Sequence, residues 1–255
     1  MPVDANLYYH LYKGGEEGLR PPVVLIHGAG GTHLYWPAEI RRLAGYRVFA
    51  PDLPGHGKSP GRGKQTISAY ADAVLEWLTA LGMHSLVFIG HSMGSAVAIH
   101  LALNYPEHVL GLGLIGAGAR LRVNPLLLES AANDTTFPRA VEMVVQWSFS
   151  SHTSAQLIEL AGQRMASTRP SVLQGDFIAC NAFDETQRIS QIQRPTLILC
   201  GEEDRMTPVR NAQFLANNIP GAVLKIIPQA GHMVMLEQPQ EVAKSITTFL
   251  STLSF

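Results

Sequence analysis

The feature that most constrains the fold of this chain is a pentapeptide, Gly90-His91-Ser92-Met93-Gly94, set between the apolar run Leu86-Val87-Phe88-Ile89 and the continuous apolar-rich stretch Ser95 to Ala102. A short aliphatic run bounded by glycine reads as a buried strand, and the longer stretch after it reads as a helix. Joining the two through a single turn requires small residues on either side, because strand and helix must pass closely. A serine at the apex takes a strained backbone conformation and presents its hydroxyl at a helix N-terminus. Unbonded amides at that terminus favour a developing negative charge, so one turn supplies both a nucleophile and part of an oxyanion site.

The same strand-to-helix rhythm recurs along the chain. Val23-Val24-Leu25-Ile26, Val48-Phe49-Ala50, Leu110 to Ile115, Thr196 to Cys200 and Val223 to Ile227 read as strands, with Leu7 to Tyr12 as an edge strand ending at the loop Lys13 to Gly18. Helices are expected over Trp36 to Leu43, over Ile67 to Leu78 with an end near Gly82, up to about Asn104 after the serine turn, and over Val209 to Asn218 and Val242 to Leu250. Strands alternating with helices, most of them continuous aliphatic runs, imply an α/β fold with a mostly parallel central sheet flanked by helices. Between Arg120 and about Ile189 no convincing strand occurs; Ala140 to Phe149, Ala155 to Met165 and Ser171 to Ala182 are instead amphipathic helical stretches. The expected organisation is a core of residues 1–119 and 190–255 with an inserted helical cap at 120–189.

Composition removes several function classes. A chain of 255 residues with 19 basic and 20 acidic side chains, net charge -1, and no lysine or arginine run gives no electrostatic reason to expect nucleic acid or an anionic membrane as partner. The longest weakly polar stretch, Val109 to Ala119, is too short and glycine-rich to span a bilayer. Cys180 and Cys200 cannot form a disulfide framework and lie outside metal-ligand spacings, so both read as buried thiols. The ten histidines fall in no metal-binding pattern, and no metal or other cofactor is expected. With neither a basic start nor an apolar stretch at the N-terminus, a cytoplasmic location is the default. Self-association into a homodimer is left open.

A serine nucleophile needs a general base, and a histidine base needs a carboxylate to hold its tautomer. Asp204, in Gly201 to Pro208, and His232, in Gln229-Ala230-Gly231-His232-Met233, each lie immediately beyond an expected strand, as Ser92 does. In an open parallel sheet the carboxyl ends of the strands share the edge where ligands bind. Asp52 and His56, in the turn-rich loop Pro51 to Pro60, read as backbone-bonding residues, and the small residues of His27-Gly28-Ala29-Gly30-Gly31 would let backbone amides approach a ligand.

Taken together, the His27 to Gly31 turn, Asp52-Leu53-Pro54-Gly55-His56-Gly57, the Ser92 turn, Gly201 to Pro208 and Gly231-His232 resemble, in order and spacing, a capped member of the α/β-hydrolase fold family. The resemblance spans nearly the whole chain. It implies Ser92 as nucleophile, His232 as general base and then acid, and Asp204 rather than Glu202 or Glu203 as the orienting carboxylate. It also implies an oxyanion hole from the N–H groups of Met93 and Ala29, in preference to Gly30, which is placed beside the substrate. An apolar acyl chamber is expected from Met143, Trp147, Met165 and Phe177 of the insertion, with Met206 and Met233 beside the catalytic loops. The function implied is a carboxylic ester hydrolase acting on small or medium apolar acyl esters, lactones such as acyl-homoserine lactones included. Two alternatives stand beside it: hydrolysis of a carbon–carbon bond in a vinylogous diketone by the same triad, and a hydrolase-derived ligand receptor with slow turnover.

Overall fold

Val23, Val24, Leu25 and Ile26 are fully buried, and they divide between two apolar clusters, Val24 and Ile26 in one and Val23 and Leu25 in the other. Such alternation puts a strand in the middle layer of a three-layer molecule. The structure, a computed structural model, describes residues 3–4, 7–14 and 20–253. In chain order the elements are β1 (Val3–Asp4), β2 (Leu7–Lys13), β3 (Val23–Ile26), α1 (Ala38–Arg41), β4 (Arg47–Pro51), α2 (Ile67–Ala80), β5 (Leu86–His91), α3 (Met93–Asn104) and β6 (Val109–Ile115). There follow α4 (Pro125–Ala131), α5 (Phe137–Ser148), α6 (Ala155–Ala166), α7 (Pro170–Ala182), β7 (Thr196–Gly201), α8 (Val209–Asn218), β8 (Val223–Ile227), α9 (Val234–Glu237) and α10 (Pro239–Thr252).

The strands form one sheet in the order β1-β2-β4-β3-β5-β6-β7-β8. All pairings from β4 onward are parallel; β2 runs antiparallel to β4, and the two-residue β1 lies outside it. The expected edge position of β2 is therefore taken by β1. Gly15 to Gly18 of the expected loop fall outside the described residues. On one face Val24, Ile26, Phe88, Leu112 and Leu114 pack with α2, α3 and α8, including Trp77, Val97 and Leu215. On the other, Val23, Leu25, Val87, Ile89 and Leu199 pack with α1 and α10, including Ile40, Ile246 and Phe249. Each large side chain buried in this way contributes about 1.5–3 kcal/mol.

Several boundaries differ from the sequence reading. The helix expected over Trp36 to Leu43 shrinks to α1, because Pro37 is extended (φ -67°, ψ 165°) and serves as the N-cap, while Trp36 goes into the core. Helix α10 starts at Pro239, three residues ahead of the expected Val242, because proline's missing N–H costs nothing in a first turn. Helix α4 was not anticipated, although Asn124 caps it by accepting the Leu126 N–H (2.9 Å) and Pro125 opens it. Helices α4 to α7 enclose a third apolar cluster around Leu127, Val144, Leu173 and Phe177, separate from the two that sandwich the sheet. No helix among the described residues is long and apolar enough to cross a membrane.

Candidate active site

Glycines flank Ser92 because nothing larger fits. A Cβ on Gly94 would lie 2.1 Å from the Ile26 carbonyl oxygen, and one on Gly90 2.2 Å from that of Gly94. With β5 and α3 forced this close, Ser92 takes φ 52° and ψ -115°, a conformation that costs a non-glycine residue on the order of 1–3 kcal/mol. The turn is fastened from outside. The Ser92 N–H donates to the Ile115 carbonyl (2.9 Å), and the Ser95 hydroxyl donates to the Gly90 carbonyl (2.7 Å) while accepting the Ile115 N–H (3.1 Å). Ser95 escaped the sequence reading, where it looked like one more small helix residue.

Asp204 lies beyond the end of β7, and its carboxylate is fully engaged. Oδ1 accepts the N–H groups of Met206 (2.9 Å) and Thr207 (2.8 Å); Oδ2 accepts the Thr207 hydroxyl (2.8 Å) and pairs with His232 Nδ1 at 2.9 Å. Burial alone would raise the Asp204 pKa, but the His232 imidazole and the two bonds from Thr207 outweigh it and hold the carboxyl below its ordinary range. The carboxylate thus fixes a proton on Nδ1 of His232 and leaves Nε2 as the basic nitrogen. Gly116, at φ 55°, makes room for the pair: a Cβ there would lie 3.1 Å from the His232 ring and 3.5 Å from Asp204 Oδ2. Glu202 is exposed, and Glu203 turns away to accept the Ser151 N–H (3.0 Å) and hydroxyl (3.1 Å).

Ser92 and His232 border one cavity of about 660 Å³, together with Ala29, Trp147, Phe177, Met206 and Met233. Among the described residues no hydrogen bond joins the Ser92 hydroxyl to His232. The N–H groups of Met93, in the first turn of α3, and of Ala29 have no partner among the described residues, so both are free to donate to an oxygen at the serine. Gly30 departs from expectation. It does not line the cavity, and its N–H donates to Asp176 Oδ2 at 2.8 Å. Met143 also lies off the cavity wall, packed into the cluster between α4 and α7.

Asp176 is the buried group that the sequence reading passed over. A single carboxylate inside an apolar helix was the available signal. Lying on α7, it accepts from Gly30 N–H, from His56 Nε2 (2.8 Å) and from the Tyr70 hydroxyl. Thr168 donates to the Gly30 carbonyl (2.9 Å), so the segment between β6 and β7 holds both backbone polar groups of Gly30, the residue after Ala29. His56 loses by burial but gains more from Asp176, and its pKa is raised. Asp52 accepts His33 N–H (2.7 Å), His33 Nδ1 (2.9 Å) and Lys58 N–H (3.0 Å), a loop-building role in keeping with the sequence reading.

Two further histidines are buried and neutral. His27 donates from Nδ1 to the Gly28 carbonyl (2.8 Å) and accepts the Leu53 N–H at Nε2 (3.0 Å), and burial with the neighbouring His56 pushes its pKa down to about 4. His91 donates to the His232 carbonyl (3.0 Å) with its ring 4.7 Å from that of His232; burial pushes it down to about 3. Below the ordinary value of 6.5 the unfolded chain binds protons at these two positions and the folded chain does not. Stability should therefore fall as the pH drops from there, by about 1.4 kcal/mol per pH unit for each histidine. His56, whose folded pKa is raised, opposes this only above 6.5, where its own contribution is lost with rising pH. A melting temperature unchanged between about pH 7 and about pH 5 would contradict neutral burial of both rings. Among the described residues, no group of three or more His, Cys, Asp or Glu is placed to hold a metal ion.

A model of the alpha/beta hydrolase fold matches residues 21–239. The chain belongs to that family. A curated relative, 2-hydroxy-6-oxo-6-phenylhexa-2,4-dienoate hydrolase of Burkholderia cepacia, is 28% identical over 270 residues, covering 97% of this chain and 92% of the relative. A thermophilic esterase from Thermogutta terrifontis superposes with a TM-score of 0.85 at 27% identity over 96% of this chain and 93% of that one. The solved structure of an N-acyl homoserine lactone degrading enzyme gives a TM-score of 0.82 at 29% identity, covering 95% and 96%. The sheet order and the family match agree with the fold read from the sequence, and membership makes the chain a hydrolase of the α/β-hydrolase fold.

Proposed function

We propose that the protein is a carboxylic ester hydrolase working through an acyl-enzyme on Ser92. The Ser92 oxygen attacks the acyl carbon as His232 Nε2 takes the hydroxyl proton, and Asp204 holds the Nδ1–H and stabilises the imidazolium. The former carbonyl oxygen, now negative, is met by the N–H groups of Met93 and Ala29. Collapse expels the alcohol, which leaves with the proton from His232, and water then repeats the cycle to release the acid. A lactone opens by the same steps, its alcohol remaining tethered to the acyl group. The single observation that carries this reading is one cavity bordered by a serine at a strained turn and by a histidine whose other nitrogen is bonded at 2.9 Å to a buried carboxylate. The esterase and lactone-degrading neighbours support it.

In this reading the segment 120–189 is a cap, with Leu127, Val144, Trp147 and Phe177 as the apolar wall of an acyl chamber. Short and medium p-nitrophenyl esters should turn over faster than long ones, and a fluorophosphonate should add to Ser92 with the matching mass increase. No hydrolysis at any chain length together with no adduct would overturn the proposal. The dienoate hydrolase among the relatives favours a second reading, carbon–carbon hydrolysis by the same residues; turnover of a dienoate in preference to every ester would select it.

A further inference from the structure

Four arginines border the same cavity: Arg120 and Arg122 on the loop after β6, Arg205 on the loop that carries Asp204, and Arg210 in the first turn of α8. All four are exposed, which puts them at its solvent-facing rim. The two segments touch, since a Cβ on Gly118 would lie 3.3 Å from Asn211 Nδ2. No aspartate or glutamate lines the cavity. Arg120 Nε pairs with Asp184 at 3.1 Å, but among the described residues Arg122, Arg205 and Arg210 have no carboxylate within ion-pairing distance. Asp184 acts on Arg122 and Glu203 on Arg205 at longer Coulombic range, without a direct ion pair. In a chain of net charge -1, with 20 acidic side chains to spread over its surface, three guanidinium groups on one rim with no carboxylate in direct contact are a local arrangement rather than a reflection of composition. Asn124 and Asn211 add amide donors to the same rim.

We propose that this rim is an anion subsite. Resting on the ester-hydrolase reading, it assigns the substrate class as esters or lactones that carry a carboxylate or phosphate at the end remote from the bond cleaved. The apolar wall takes the connecting chain, and the guanidinium forks, which match the oxygen geometry of such anions, take the charged end. A cluster of cations at a solvent-facing rim also attracts an anion from a distance, an effect that salt weakens over a Debye length of about 10 Å at 0.1 M.

The test compares p-nitrophenyl hydrogen adipate with p-nitrophenyl hexanoate, which match in chain length and differ in terminal charge. The wild-type protein should favour the adipate by about tenfold or more in kcat/KM, chiefly through KM, with the advantage shrinking several-fold in high salt. In R122Q/R205Q/R210Q the adipate-to-hexanoate ratio should approach unity. Calorimetry with free adipate and with hexyl phosphate tests binding without turnover: both should bind the wild-type protein and lose at least tenfold in affinity in the triple variant. Tighter binding of hexyl phosphate assigns the anion as a phosphate, and tighter adipate as a carboxylate; either supports the subsite. Hydrolysis of the hexanoate with no adipate preference and no anion binding would overturn the subsite and leave the esterase reading standing. Anion binding that depends on the arginines, with no ester hydrolysed, would keep the subsite and sink that reading.

Discussion

Ser92→Ala is expected to lower kcat/KM toward p-nitrophenyl esters by about 10⁴-fold or more while leaving circular dichroism and melting temperature near those of the wild type. The change removes one oxygen from a side chain whose hydroxyl makes no hydrogen bond among the described residues, and the backbone bonds of the turn do not involve it. Alanine takes the strained backbone no worse than serine does, and the fasteners of the turn, Ser95 and the Ile115 carbonyl, are untouched. What remains is the free N–H pair and the cavity, which together give modest acceleration over water. A folded Ser92→Ala protein with near-native turnover would remove the serine from the chemistry altogether.

Asp176→Ala is expected to damage both stability and turnover. The substitution leaves the Gly30 N–H, His56 Nε2 and the Tyr70 hydroxyl without their buried acceptor. Breaking a buried ionic network from one side costs about 3–5 kcal/mol, or on the order of 10 °C in melting temperature for a chain of this size. Gly30 follows Ala29, so a freed Gly30 peptide lets the adjacent N–H drift from the place where an oxyanion would form. Loosening of that kind should lower kcat by about 10- to 100-fold with a smaller change in KM. Asp176→Asn keeps one acceptor oxygen and should recover part of both losses. Loss of stability with kcat intact would show that Asp176 holds the fold without aligning the Ala29 amide.

How much of this was legible in the sequence follows the range of the interactions. Ser92, Asp204 and His232 each stand just past a buried aliphatic run with glycine beside them, a local signal, and the structure sets all three beyond the C-terminal ends of β5, β7 and β8. The parallel sheet was legible for the same reason, since continuous aliphatic runs are buried on both faces. Thr207 was half visible, three residues after Asp204 in a turn ended by proline. Asp176 was not, because its partners Gly30, His56 and Tyr70 lie more than a hundred residues earlier in the chain. The rim arginines were invisible for a related reason: Arg120 and Arg122 lie some eighty residues before Arg205 and Arg210, and only the folding of two distant segments around one cavity collects them. Trp36 to Leu43 failed differently, for its pattern is helical while an extended Pro37 and the burial of Trp36 shorten the helix.

The third apolar cluster has a consequence for how such a chain can change over generations. Leu127, Val144, Trp147, Met165 and Phe177 form the cavity wall, and they pack chiefly among α4 to α7, apart from the two clusters that sandwich the sheet. The groups proposed to react follow β5, β7 and β8, whose burial draws on those other clusters. A substitution at Leu127, Val144 or Phe177 that reshapes the wall thus falls mostly on the packing among α4 to α7, while the polar ties of Asp176 to Gly30 and of the Ser148 carbonyl to the Met233 N–H hold those helices to the site. In the proposed mechanism, selection can then rework what such a chain accepts one apolar wall residue at a time, provided the polar ties to the Gly30 turn are kept.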